Sequence, residues 1–438
     1  MTASQTVLLF LDLALILGLA RAAGALAARL GQPAVVGEIL AGVLLGPTLF
    51  GDRLVGLLFP TDVRDLLSAL AGVGIALFMF VVGAELDLAV LRGGGRVTLW
   101  ASAGSTLLPL ALGAGLALLL EPSHATGTSD GFVLFFAVAM SVTAFPVLAR
   151  VIADRELAHT RVGTTALACA AITDLLAWTL LAVVVALATG ERFDWRLALV
   201  VPYVAVMATV VRPLLHRAGR FGAERERDTP GGNRSFLALV LGGLLASAAV
   251  TEWLGLHYIF GAFLFGAVLP RGTAGRLRDG VLHRVEPLCG VLLLPVYFVL
   301  SGLKVDLSQL DLTNLGELAA ILAVAITGKF LGAYLGARTG GLDTHQSAAL
   351  GALLNTRGLT ELVILGVGLE LGVLDTTLYS LMVVMAVTTT ALTGPLLNWI
   401  SRSGSPAFSG DPPRLEPSSG PFRDSATASA GPRPPARR

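Results

Sequence analysis

Thr164-Thr-Ala-Leu-Ala-Cys-Ala-Ala-Ile-Thr-Asp-Leu-Leu-Ala-Trp-Thr-Leu-Leu-Ala182 decides how this chain is read. Asp174 stands in its middle, with about ten apolar or small residues on either side. The run belongs to a series of apolar stretches, each near the roughly 20 residues that cross a bilayer as helix. They predict helices at about 6–28, 33–50, 63–84, 96–120, 131–152, 160–188, 197–216, 235–254, 256–270, 281–303, 314–337, 345–372 and 374–400. Of the 438 residues, 54% are hydrophobic and 14% charged, with a mean hydropathy of +0.77. A soluble domain carries roughly a quarter charged residues. The expected fold class is therefore an all-α polytopic membrane protein with about thirteen transmembrane helices. A net charge of +1 excludes the basic patch or stripe of a nucleic-acid binder.

Lys and Arg in the connections test that map. Alternate connections, from Arg29 through Arg150, Arg155 and Arg161 to Arg402, hold 18, and the opposite set holds 5. This asymmetry puts the N-terminus outside and the C-terminus in the cytoplasm. Residues 401–438, with eight Pro and eight Ser, are expected to form a disordered cytoplasmic tail. Cys169 and Cys289 both fall in apolar runs, which suits small core residues rather than a disulfide framework or metal cluster.

Charge inside the apolar runs is costly, by about 2.5–3.5 kcal/mol on insertion scales, so each such residue is a candidate for function. Asp174 must be protonated, paired or bound to a cation. A group alternating between proton and metal ion is what an exchanger needs; the alternative is a protonated Asp bonded to a neighbouring helix. Lys329, one of only two lysines, lies in the apolar run Ile321–Leu335. Arg21 is close enough to a membrane surface to snorkel. Two predicted helices look interrupted. In the fifth, Ser141 and Thr143 bring small polar residues to mid-membrane, and Pro146 disfavours helical geometry at Phe145, so Phe145 and Pro146 are expected to be unwound. In the twelfth, Asn355, Thr356, Arg357 and Glu361 surround Gly358. Broken helices offer carbonyls and half-helix dipoles to ions; a proline kink and a buried Arg357–Glu361 pair at i, i+4 are the plainer readings. The interruptions lie seven helices apart, which suggests two inverted six-helix repeats joined by the seventh. Glu38 either packs or lines an approach, and Glu85 and Asp87 are expected to be solvated.

These residues resemble the second monovalent cation:proton antiporter family, which includes Kef-type antiporters, bacterial sodium/proton exchangers and plant cation/proton exchangers. The similarity rests on Gln32-Pro-Ala-Val-Val-Gly-Glu-Ile-Leu-Ala-Gly-Val-Leu-Leu-Gly-Pro47, Leu77-Phe-Met-Phe-Val-Val-Gly-Ala-Glu-Leu-Asp87 and Ser141-Val-Thr-Ala-Phe-Pro-Val-Leu-Ala-Arg150. It continues through Thr173-Asp174, Leu294-Pro-Val-Tyr-Phe-Val-Leu-Ser-Gly-Leu303, Gly328-Lys329 and Asn355-Thr-Arg-Gly-Leu-Thr-Glu361. The resemblance implies crossed unwound helices beside Asp174 and a core of helices 4–6 and 11–13 that slides against a dimerising scaffold of helices 1–3 and 8–10. It also implies a homodimer. In electrogenic relatives two adjacent acids occupy the sixth helix and the lysine pairs with the first; here Thr173 replaces that acid.

The expected function is exchange of Na⁺ or K⁺ for H⁺ across the plasma membrane, electroneutral, with lipid as the surroundings and no cofactor or enzymatic step. Asp174 is the expected ion and proton site, with Thr173, Thr143 and Ser141 adding oxygens. Lys329, Arg357, Glu361 and Asn355 are expected to balance charge. Export of an organic ion or small metabolite, and a non-transporting membrane sensor, are the alternatives.

Overall fold

The structure is a computed structural model describing residues 3–85, 95–126, 128–158, 160–188, 195–226, 232–270, 275–308 and 310–402. Asp87 and the expected tail beyond Arg402 lie outside the described residues. In chain order the helices are α1 (Ala3–Arg29), α2 (Ala34–Leu45), α3 (Pro47–Leu58), α4 (Thr61–Glu85), α5 (Arg96–His124), α6 (Ser129–Ser141), α7 (Phe145–Asp154) and α8 (Arg161–Ala188). After these come α9 (Trp195–Ala198), α10 (Val200–Val206), α11 (Arg212–Glu226), α12 (Gly232–Trp253), α13 (Tyr258–Ala267), α14 (Gly275–Leu288) and α15 (Leu294–Leu303). The last four are α16 (Leu312–Gly340), α17 (Thr344–Leu354), α18 (Leu359–Glu370) and α19 (Thr376–Arg402). Single π-helical turns join α10 to α11 and α14 to α15. No strand occurs among the described residues.

Among the described residues nine helical spans are long and apolar enough to cross a membrane, and ten if the pair α17–α18, which bends by 42°, counts as one. The other stretches expected to cross are shorter or divided. The second stops at Gly46, whose extended backbone hands over to Pro47 as the first residue of α3. A proline needs no hydrogen-bonded N–H there, so a new helix starts at little cost. The seventh is split at its π turn, and α13 has only ten residues.

Packing sorts the helices into two groups. In one, α1, α2, α4, α12, α13 and α15 pack on one another; in the other, α5–α8 and α16–α19 do. Glycines weld each group backbone to backbone. A methyl group at Gly104 of α5 would stand 2.2 Å from the carbonyl oxygen of Gly332 on α16, and one at Gly42 of α2 would stand 2.3 Å from that of Val299 on α15. Real side chains never come so close, so only glycine permits these crossings. Between the groups α2 meets α19, and the seam is looser. A methyl group at Gly394 of α19 would keep an ordinary 3.7 Å from the carbonyl oxygen of Gly31, at the end of α1.

At one end of the second group, His124 bridges two carboxylates, with Nδ1 2.8 Å from Asp375 and Nε2 3.0 Å from Glu317. Asp375 also caps α19 by accepting from the Leu378 N–H at 2.7 Å. Burial pushes the Asp375 carboxyl up, but the hydrogen bonds from His124 and the Leu378 amide, with the imidazole charge, outweigh it and hold it below its ordinary value. A depressed folded pKa contributes stability above the usual aspartate value of about 3.9 and loses it as pH falls through the folded value. Asp375→Asn is therefore expected to lower the melting temperature at neutral pH. The gap from wild type should narrow in acid, as a melting series in detergent across that range will record.

A broken-helix crossing beside a buried carboxylate

The site begins with a hydrogen-bonding problem. A helix that stops in mid-membrane leaves its last four carbonyls without intrahelical partners and with no water to take their place. α6 ends at Ser141, and Val142, Thr143 and Ala144 run extended before α7 starts. All four terminal carbonyls of α6 are satisfied by side chains. The Ser141 hydroxyl donates to Val138 at 2.8 Å, and Arg357 donates to Ala139 at 3.1 Å and to Met140 at 2.6 Å. Lys329 of α16 donates to Ser141 itself. Two buried cations thus meet the negative end of a half-helix dipole, where positive charge is favoured.

Lys329 is fully buried. Besides the Ser141 carbonyl it reaches the carbonyl of Ser105 at 3.1 Å and the Thr143 hydroxyl at 2.6 Å. In place of an acid at position 173, Lys329 is met by oxygens of α5, of the end of α6 and of the break that follows it. Arg357, also fully buried, pairs through Nη1 with both oxygens of Glu361, at 2.8 and 2.7 Å. Glu361 lies in the first turn of α18, where the dipole favours an acid.

The second break spans Asn355–Gly358 between α17 and α18. Gly358 takes φ 156°, ψ −123°, and a methyl group there would lie 2.8 Å from Val147, so both backbone and space demand glycine. The two extended segments cross and bond: the Ala144 N–H donates to the Thr356 carbonyl at 3.2 Å, and the Thr143 hydroxyl donates to Leu354 at 3.3 Å. Thr390 of α19 secures the second break from behind, accepting from the Arg357 N–H at 3.0 Å and donating to its carbonyl at 2.6 Å.

Asp174 of α8 is 2% exposed, and neither carboxylate oxygen has a hydrogen-bond partner among the described residues. The backbone N–H of Phe145, first in α7, interacts with it electrostatically without closing a hydrogen bond. Asp174 lines a cavity of about 330 Å³. The walls come from α7 and α8 on one side (Phe145, Thr164, Leu167, Ala171) and from α4 and α13 on the other (Val82, Glu85, Phe263), so the cavity lies along the seam between the helix groups.

Two sequence expectations need correction. Phe145 and Pro146 are not unwound: they open α7, because proline fits the first turn of a helix, and the break falls one step earlier at Val142–Ala144. Ser141 and Thr143 do not line the Asp174 cavity; both are engaged by Lys329. Thr173, 1% exposed, donates at 3.0 Å to Ala170 of its own helix. Asn355 is fully buried in the second break with neither amide atom bonded among the described residues. Glu85, expected only to be solvated, faces the same cavity as Asp174. Thr390 was also missed, although the run Thr388-Thr-Thr390 in an apolar helix was a visible signal.

Lys329 predicts a measurable effect. Lys329→Gln keeps an N–H donor group but removes the charge that faces the α6 terminus, so the melting temperature should fall or the pH range of activity should shift. An unchanged value of both would mean that its three oxygens contribute nothing.

Broken helices crossing inside a membrane, with a buried acid and charge-capped half-helix ends, define a secondary transporter. The chain matches the sodium/hydrogen exchanger transmembrane family over residues 13–402, and it belongs to that family. It is 38% identical over 406 residues to the Na⁺/H⁺ antiporter NhaS4 of Synechocystis, covering 90% of this chain and 97% of that one. It is 32% identical over 387 residues to the K⁺/H⁺ antiporter 1 of Saccharomyces cerevisiae, covering 83% of this chain but only 43% of the yeast protein. The fold is similar to that of the sodium proton antiporter MjNhaP1 of Methanocaldococcus jannaschii, with a TM-score of 0.63 at 18% identity, covering 93% of this chain and all of that one.

Proposed function

We propose that this multi-pass membrane protein exchanges a monovalent cation, Na⁺ or K⁺, for H⁺ across the plasma membrane. The carrying observation is Asp174: a buried carboxylate that closes no hydrogen bond among the described residues, at a cavity, beside two broken helices. Such a group is tolerable only when neutralised, by a proton or by a cation. Among the described residues no cluster of three His, Cys, Asp or Glu side chains occurs. The cargo ligands are then one carboxylate plus hydroxyl, carbonyl or water oxygens, a set that suits hard cations. The relatives named above carry Na⁺/H⁺ and K⁺/H⁺ exchange in their names.

The cavity reaches Thr164, three residues beyond Arg161, on the side that the arginine distribution marks as cytoplasmic. A cytoplasmic cation passes Glu85 and displaces the proton from Asp174. The glycine-welded groups then act as two bodies, a scaffold of α1–α4 and α12–α15 and a core of α5–α8 and α16–α19. Sliding the core along the looser seam carries the occupied Asp174 to the other face, an elevator. In this reading thirteen segments cross the membrane as inverted repeats, the N-terminus lies outside, and two copies pair through their scaffolds. At about 330 Å³ the cavity is at the small end of organic-ligand pockets, which favours an inorganic ion over an exported metabolite.

Exchange should be one for one. Lys329, Arg357, Glu361 and an ionised Asp174 sum to zero, so either H⁺ or M⁺ leaves the core with the same charge. The membrane potential, about 2.3 kcal/mol per charge per 100 mV, then drops out. Reconstituted protein under a Na⁺ or K⁺ gradient should move protons, read by an entrapped pH dye, without transporter current. A current that scales with cation concentration would defeat the single-site stoichiometry, and no cation-dependent proton movement would defeat the function.

A further inference from the structure

A second cavity, of about 530 Å³, lies on the same seam but away from Asp174. Its walls mix polar and apolar residues and come from both groups. From the scaffold side come Gly31, Gln32, Pro33 and Ala34, where α1 ends and α2 begins. From the core side come Arg150, Asp154 and Arg155 at the end of α7, with Thr390, Thr393 and Asn398 of α19.

The chemistry of this cleft is that of an anion site. Arg155 donates to the Asn398 side-chain oxygen, and Gly394 leaves room for its guanidinium, since a methyl group there would lie 3.0 Å from Nη2. Among the described residues Arg150 makes one loose ion pair, with Asp154 at 4.0 Å, both of them more than 60% exposed. Facing these arginines is the start of α2. Its N-cap, Pro33, supplies no side-chain hydrogen bond, and the first-turn amides present the positive end of the helix dipole. Gly31, at φ +72°, ends α1 with the left-handed turn that delivers the chain to that point. Arg21 and Glu38 act electrostatically at the same end. Counting them, three arginines oppose two carboxylates, an excess of one positive charge.

Two features tie the cleft to transport. It is walled by both bodies, and it backs onto Thr390 and Thr393, which hold the second helix break at Arg357 and Thr356. We infer that the cleft binds a ligand carrying a terminal phosphate group, which contacts both helix groups at once and slows exchange by holding them in this arrangement. The slowing rests on the sliding proposed above; the binding does not. A ligand shifts a conformational equilibrium only by its differential affinity for the two states. Sliding the core parts Arg150 and Arg155 from the α2 terminus, so the site is complete in one state alone. The same group is carried by soluble compounds and by phosphatidic acid headgroups, and the test separates the two.

Thermal melting of the full chain in detergent, titrated with inorganic pyrophosphate, reads binding without transport. Exchange in phosphatidylcholine vesicles reads regulation, with pyrophosphate added, with phosphatidic acid doped in, or with phosphatidylglycerol as the anionic phosphodiester control. Pyrophosphate should raise the melting temperature, and at least one of pyrophosphate and phosphatidic acid should slow exchange where phosphatidylglycerol does not. Action by pyrophosphate alone assigns a soluble ligand, and action by phosphatidic acid alone a lipid. Arg150→Gln, an exposed position that folding tolerates, should need roughly tenfold more ligand for the same effect. The double variant with Arg155→Gln should lose the effect altogether. Equal action on the double variant, or none by either pyrophosphate or phosphatidic acid on wild type, overturns the site. Arginine-dependent binding without slowing overturns the regulatory role. If ligand-free wild type shows no exchange at all, the transport reading fails, while the melting data still decide the site.

Discussion

Asp174→Asn protein moves no protons in response to a Na⁺ or K⁺ gradient, yet melts at or above the wild-type temperature. The two halves of that result have one cause. Asn matches the volume of Asp but cannot titrate, so proton and cation lose their shared site together. Asp174 also forms no protein hydrogen bond that the substitution would break, and it is buried where an ionised carboxylate is costly. Removing that charge relieves the fold. Proton flux equal to that of protein-free vesicles, with an intact melting transition, is the expected pair of readings. Wild-type flux in the variant would remove Asp174 from the mechanism. Lost flux with a collapsed melting transition would make it a structural residue.

Arg357→Met is expected to give the largest loss of stability of any single substitution in the site. It leaves Glu361 buried without its partner, and removing one member of a buried pair costs about 3–5 kcal/mol. The Met140 carbonyl loses its donor at the same stroke, and that of Ala139 keeps only the long bond from the Val142 N–H, at 3.4 Å. The double variant Arg357→Met with Glu361→Leu removes the orphaned charge, and melting should recover in part. Exchange should not recover, because the end of α6 stays uncapped beside Lys329. Full recovery of both stability and flux would mean that the pair serves folding alone. A single variant as stable as wild type would refute the buried geometry.

Much of this site was legible from residue types. Asp174 announced itself as an isolated acid in an apolar run, and Gly358 amid polar neighbours marked a break that its backbone angles require. The first break was legible only approximately. Pro146 signals an interruption, but a proline opens a helix as readily as it ends one, so Phe145 and Pro146 belong to α7 and the extended residues precede them. Lys329 was conspicuous while its partners were not. A search for an acid finds none, because its partners include the carbonyls of Ser105 and Ser141, and carbonyls occur at every position. Glu85 looked like the polar end of a helix until folding set it across a cavity from Asp174.

By itself the sequence determined that this chain is helical, lies in a membrane and carries charge where charge is costly. Those properties follow from local transfer free energies and helix chemistry, summed over neighbours along the chain. Only the tertiary structure decided which cation caps which carbonyl, where the cavity lies and along which seam the two helix groups meet. Those contacts join residues such as Lys329 and Ser141, 188 positions apart, and glycines such as Gly104 and Gly332. Their energies depend on distance and direction in space, for which no single stretch of sequence carries a signal.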